Sequence, residues 1–197
     1  MTPRPRPAAG RSLGPEFDVV LESARRGAPW ACTRIYEWLA AAVAGYLRTQ
    51  GAEEPDDLAS EVFLRVFSSC AGFSGSEAQF RAWVFTIAHS RLVDARRARN
   101  RTPEICALDH EWPDGEVPTA AGADEVAMDR VAVTEAHRLL DTLTCDQRDV
   151  LALRLIGQMS VEEVATALQK PPGAIKALQR RALATLRRRL DAEVVRR

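Results

Sequence analysis

Apolar residues recur along this chain at three- and four-residue spacing, the period of an α-helix, over most of its length. The pattern predicts a first helix over roughly 16–27. It starts beside Phe17 and stops at Gly27, with Arg25 and Arg26 in a last turn whose dipole favours cations. A second helix is expected over 30–50, carried by Ile35, Leu39, Ala42 and Tyr46. A third, over 55–69, gathers Leu58, Val62, Phe63 and Val66 on one face. Its other face holds Asp57, Ser60, Glu61 and Arg65, and acids crowd its first turn. The stretch SSCAGFSGSEA (68–78) is rich in Ser and Gly and reads as a loop. A fourth helix follows over 79–100, and others over 128–141, 145–157, 160–169 and 173–193. Ser160 and Glu163 have capping-box spacing, and Pro171, Pro172 and Gly173 separate the last two helices. No strand-like alternation and no internal repeat interrupts this. The expected fold is all-α: two small helical domains joined by a flexible acidic linker.

Composition sharpens the division. The chain has 197 residues, 46% of them hydrophobic, enough for one or two small cores. Lys plus Arg and Asp plus Glu number 27 each, so the net charge is zero, but the charges are sorted into blocks. RLVDARRARNR (91–101) sets five Arg against one Asp, whereas 102–128 holds seven acids and no Lys or Arg. From Lys176 onward, eight bases meet two acids. Local charge, rather than the total, governs binding to a polyanion. The expected divisions are a disordered basic arm over 1–14, a first domain over 15–100, an acidic linker over 101–127 and a second domain over 128–193.

Several functions lose support. No segment approaches the roughly 20 apolar residues of a membrane span, and the Pro-rich start lacks the apolar run of a secretory signal. Cys32, Cys70, Cys106 and Cys145 form no CxxC pair, so reduced thiols and a cytoplasmic setting are expected. No Gly-rich phosphate loop or nucleophile–base motif is present, so neither catalysis nor a small-molecule substrate is expected. Cys106 and His110 are too few for a zinc site; no metal and no cofactor is expected.

The motif that carries function is MSVEEVATALQKPPGAIKALQRRALATLRRRL (159–190). A short capped helix, a tight turn and a basic second helix follow the helix-turn-helix plan. Val161, Val164, Ala165 and Leu168 would pack across Ile175, Leu178, Ala182 and Leu186. That leaves Lys176, Gln179, Arg180 and Arg181 facing outward to a major groove. Such side chains reach guanine and adenine edges or phosphates. Arg187, Arg188 and Arg189 suit phosphates.

LDTLTCDQRDVLALRLIGQMSVEEVATALQKPPGAIKALQRRALATLRRRL resembles region 4 of bacterial RNA polymerase sigma factors. RRGAPWACTRIYEWLAAAV, EPDDLASEVFLRVF and FRAWVFTIAHSRLVDARRAR resemble successive parts of sigma region 2. The two halves stand in the family's order, with no region 3 domain between them, as in the extracytoplasmic-function (ECF) group. The resemblance implies a polymerase subunit that reads the −10 and −35 promoter elements and helps to melt DNA. It implies that Asp57, Ser60, Glu61 and Arg65 dock on the β′ coiled-coil of core polymerase, with Ser60 where the family commonly has Gln. It further implies contact of region 4 with the β flap, passage of the acidic linker through the polymerase cleft, and a possible anti-sigma partner.

For an unstacked base of the non-template strand, the matching segment offers Phe73 as an apolar wall. His89 and Ser90 follow where the family often has Arg and Asn, and Arg91, Arg96, Arg97 and Arg99 would track phosphates. Trp83 is expected in the core. Two other functions remain open at this point: a stand-alone helix-turn-helix regulator that binds duplex DNA without polymerase, and a sigma-like polymerase-binding protein that reads no promoter.

Overall fold

The computed structural model describes residues 12–99 and 138–194. The acidic linker with Cys106, His110 and Trp112, and most of the basic arm, lie outside the described residues. The helices are α1 (Phe17–Arg25), α2 (Pro29–Thr49), α3 (Pro55–Ser69), α4 (Glu77–Arg99), α5 (Cys145–Leu155), α6 (Val161–Leu168) and α7 (Pro172–Val194). Short 3₁₀ turns sit at Gly14–Glu16 and Cys70–Gly72. Residues 138–141 are also helical. No strand occurs among the described residues.

Local chemistry sets most boundaries. Pro29 and Pro55 occupy first-turn positions of α2 and α3, where a missing N–H costs nothing. Thr144 with Gln147 opens α5, and Ser160 with Glu163 opens α6, both as complete capping boxes. The turn into α7 differs from the sequence reading. Pro172 and Gly173 belong to α7 itself. The left-handed residue that ends α6 is Gln169, with φ 53°. A side chain rarely adopts that conformation; here backbone hydrogen bonds close the turn without a glycine, Lys170 N–H to the Ala165 carbonyl at 3.0 Å and Gln169 N–H to the Thr166 carbonyl at 3.3 Å.

In the first half, α1 to α4 enclose an aromatic core. Phe80 meets Phe17 at 5.9 Å and Trp38 at 6.3 Å between ring centres. Arg81 is buried, its guanidinium 5.1 Å from the centre of the Trp38 ring. In the second half, α5 and α6 pack on α7 through Val164, Ile175 and Ala182. The halves also touch each other, α2 against α5 and α4 against α6, so the apolar core runs through both. At Gly157 the approach is so close that an added Cβ would stand 2.6 Å from the Leu153 carbonyl oxygen and 3.3 Å from the Phe85 ring.

Two expectations are corrected. The arm does not run free to residue 14. Leu13 is buried, and the Glu77 carboxylate accepts from the Leu13 amide at 2.7 Å, the Gly14 amide at 3.0 Å and the Ser12 hydroxyl at 3.0 Å. The cysteines are not all reduced: Cys32 and Cys70 are free, but Cys145, at the start of α5, is disulfide-bonded. Wide spacing in sequence says little about which sulfurs meet in space.

Candidate nucleic-acid interface

The loop between α3 and α4 is ordered by contacts at each step. Cys70 is buried at its start, and the Phe73 amide closes the 3₁₀ turn on the Cys70 carbonyl at 3.1 Å. Gly75 has φ +156°, and an added Cβ there would lie 2.7 Å from Gln79 Oε1 and 3.1 Å from the Phe73 ring. The Ser76 amide donates to Gln79 Oε1 at 2.8 Å, which fixes the entry into α4. Phe73 does not stand free. Its ring packs 5.1 Å from Phe80 and 5.1 Å from Trp83, centre to centre, and is half-buried. Trp83 is likewise half-buried. The Phe73 carbonyl accepts from Arg25 Nη2 across 48 residues of sequence.

On α4 the remaining candidates divide. His89 Nδ1 is hydrogen-bonded to the Tyr46 hydroxyl at 2.9 Å. Burial, with a smaller push from Arg96, lowers the His89 imidazole to about 4, so at neutral pH it carries no charge for a phosphate. Ser90 is exposed. Arg96 Nη2 donates to the Gln50 carbonyl. Arg99 pairs with Glu53 at 2.5 Å and Arg97 reaches Asp94 at 4.0 Å. Arg91, Arg96 and Arg99 line one side of a groove of about 440 Å³, and Glu53, Asp57 and Glu61 line the other. The structure therefore brings arginines expected on DNA and acids expected on polymerase to a single cleft. The Arg99–Glu53 pairing joins residues 46 apart, and no local sequence signal marks it.

On the outer face of α3, Asp57, Ser60, Glu61 and Arg65 are all exposed. The Ser60 hydroxyl is occupied, donating to the Asp56 carbonyl at 3.0 Å. Leu64, which the sequence reading left unassigned, is 72% exposed on this same face. Its signal was an apolar residue three and four positions after Glu61 and Ser60, on the polar side of an amphipathic helix.

On α7 the basic side chains face solvent. Lys176, Arg180, Arg181, Arg187, Arg188 and Arg189 are exposed, and Gln179 is half-buried. Arg181 and Arg188 bond only within their own helix, to the Ala177 carbonyl and the Thr185 hydroxyl. Among the described residues, none of the six forms an ion pair.

Between the halves lies a buried carboxylate. Asp149 on α5 is 8% exposed, and its Oδ1 has no hydrogen-bond partner among the described groups. Burial pushes its carboxyl up to about 6, against the opposing pull of Arg96, and Asp146 adds to the push while Arg148 and Lys170 oppose it. Nearby, the buried Gln50 Nε2 is also unpaired. Each such group costs about 1–3 kcal/mol.

Among the described residues no group of His, Cys, Asp and Glu is placed to hold a metal ion, and no helix is long and apolar enough to cross a membrane. Comparison with known proteins identifies both halves. Residues 32–102 match sigma-70 region 2 and residues 139–188 match sigma-70 region 4. The chain is 30% identical over 190 residues to the ECF RNA polymerase sigma factor SigD of Mycobacterium tuberculosis, covering 92% of this chain and 85% of SigD. It is 31% identical over 189 residues to the ECF RNA polymerase sigma factor BldN of Streptomyces coelicolor, covering 94% of this chain and 69% of BldN. The solved structure of CnrH in complex with the cytosolic domain of CnrY shares the fold. Its TM-score is 0.63 at 22% identity, over 88% of this chain and 96% of that one.

The protein is a sigma factor of the sigma-70 family. Within it, the chain belongs to the ECF RNA polymerase sigma factors. It binds core RNA polymerase and promoter DNA and directs transcription initiation. A helix-turn-helix regulator acting without polymerase is not favoured.

Proposed function

We propose that the outer face of α7 reads the −35 element, the loop 70–76 with α4 captures and melts the −10 element, and the outer face of α3 docks on core polymerase. The observation that carries this reading is the row of cations on α7, exposed and free of ion pairs with described residues, presented by a capped helix-turn-helix. Phosphate contacts supply most of a DNA-binding protein's affinity, and cations not already paired to acids are the ones free to make them.

Lys176, Gln179, Arg180 and Arg181 take base edges and adjacent phosphates, while Arg187, Arg188 and Arg189 take phosphates alone. On α3, exposed Leu64 provides an apolar anchor inside the charged ring of Asp57, Glu61 and Arg65, the pattern of a protein-docking patch. The chain acts without chemistry of its own, in the cytoplasm where its polymerase resides. CnrH was solved with a second protein, and a partner that clamps the two halves belongs to the same reading.

The test combines purified protein, core polymerase from a related bacterium and the DNA upstream of the chain's own gene. A discrete run-off transcript that requires both components is the expected result. Stable co-elution with core but no transcript would reduce the protein to a polymerase-binding factor on that template. Neither transcript nor co-elution, from a folded chain, would overturn the reading.

A further inference from the structure

We propose that Arg25 is a positioning residue for base capture: from the end of α1 it holds the backbone of the 70–76 loop in the shape that receives an unstacked promoter base. This rests on reading that loop as the −10 contact.

Five observations converge. Arg25 Nη2 donates to the Phe73 carbonyl, the midpoint of the loop, while Nη1 is held by Glu22 at 3.2 Å. Glu22 in turn is fixed by Arg26 at 2.7 Å, and both arginines lower its carboxyl, so the anchor stays ionised. Arg25 Nε is buried and unpartnered. The fold tolerates that loss to bring the guanidinium to this one carbonyl, which a side chain serving only solubility would not require. The far end of the loop is tied to the same N-terminal segment, because Glu77 accepts from Ser12, Leu13 and Gly14. Finally, Phe17 of α1 and Phe73 of the loop pack on the same Phe80 ring, at 5.9 Å and 5.1 Å.

Residues 12–25 thus brace the loop at its middle and its end. They precede residue 32, where the match to sigma region 2 begins. A Gly- and Ser-rich loop free in solution would have to be ordered at the moment a base enters. Ordering it beforehand removes that loss from the binding step. The brace acts through the backbone, so it touches no DNA itself.

The test uses the full chain with Arg25→Ala and Arg25→Lys. Hydrogen exchange reports the loop directly. Transcription with core polymerase from templates randomised over both promoter elements reports base preference at each. In Arg25→Ala, amides of 72–76 should exchange about tenfold faster, with α2 and α3 unchanged. Preference at one or two −10 positions should fall about fivefold while −35 preferences hold. Arg25→Lys, which keeps a donor for one carbonyl, should recover more than half of the lost preference. Unchanged loop exchange in Arg25→Ala, or −10 and −35 preferences falling in step with thermal stability, overturns the brace. A wild-type chain that enriches no template defeats the reading of the loop as a promoter contact, and the proposal with it; the exchange result still tells the two failures apart.

Discussion

The first half and helix α7 of the second handle their arginines in opposite ways. In the first, Arg25, Arg96 and Arg99 are engaged with Phe73, Gln50 and Glu53, partners 46 or more residues away. In the second, the exposed arginines of α7 bond to nothing beyond their own helix among the described residues. Under the proposed roles, the difference follows from what each surface would do. A helix that reads duplex DNA meets a rigid partner and profits from cations kept free. A loop that grips a single unstacked base must itself supply the rigidity, and distant side chains provide it. The helix ends obey the same division: capping boxes three residues long set α5 and α6, whereas contacts 63 to 65 residues long fix the turn before α1.

Removing Phe80→Ala from the first core or Ile175→Ala from the second tests whether the halves are energetically separate. Both side chains are fully buried, and each loss should cost about 2–5 kcal/mol in denaturant unfolding. The continuous core predicts a single transition that either variant lowers. Two transitions, each shifted by only one variant, would break that continuity.

Asp149→Asn should stabilise the chain at neutral pH by about 1–3 kcal/mol. The wild-type carboxyl is raised from 3.8 to about 6 by burial. Its cost is therefore absent below 3.8, grows as pH rises towards 6 and stays constant above. The gain in Tm should be full at pH 7.5 and vanish by pH 4; a gain independent of pH would mean that packing, not charge, is responsible. Arg180→Ala should weaken promoter binding by about 1–3 kcal/mol and relax one −35 position. Arg187→Ala should weaken all sequences alike and reduce the salt slope by about one unit. Loss of a cap, Thr144→Ala or Ser160→Ala, should cost about 1 kcal/mol each. Arg97→Ala should change stability by less than about 0.5 kcal/mol, since its contact with Asp94 is exposed and 4.0 Å long.

The helices were legible because periodicity and caps are local. Ser160 and Glu163 announce α6 within four residues, and the structure forms that box in full. The family was legible through motifs in order along the chain. What escaped was every feature made by distance in sequence. Phe73 is expected as an apolar wall for a base, and its sequence gives no sign that its ring is half-buried in an aromatic cluster, where Phe80 and Trp83 of α4 meet it. His89 stands where the family often has Arg, and nothing local marks that it is uncharged, because Tyr46 and the surrounding core enclose it. Asp149 sits in an ordinary stretch of α5, and nothing local marks its burial where α2 packs on that helix. Leu64 alone left a local trace, as a hydrophobic residue on the wrong side of its helix.

The tie between α1 and the 70–76 loop, if that loop takes the proposed role, bears on how this protein can be cut and recombined. The match to sigma-70 region 2 begins at residue 32, after the helix that carries Arg25. A chimera that grafts residues 32–102 onto another factor would inherit the loop's letters and leave its scaffold behind. Exchange of promoter preference between relatives should succeed only when residues 12–31 travel with the graft, so the heritable module is longer at its front than the family boundary suggests.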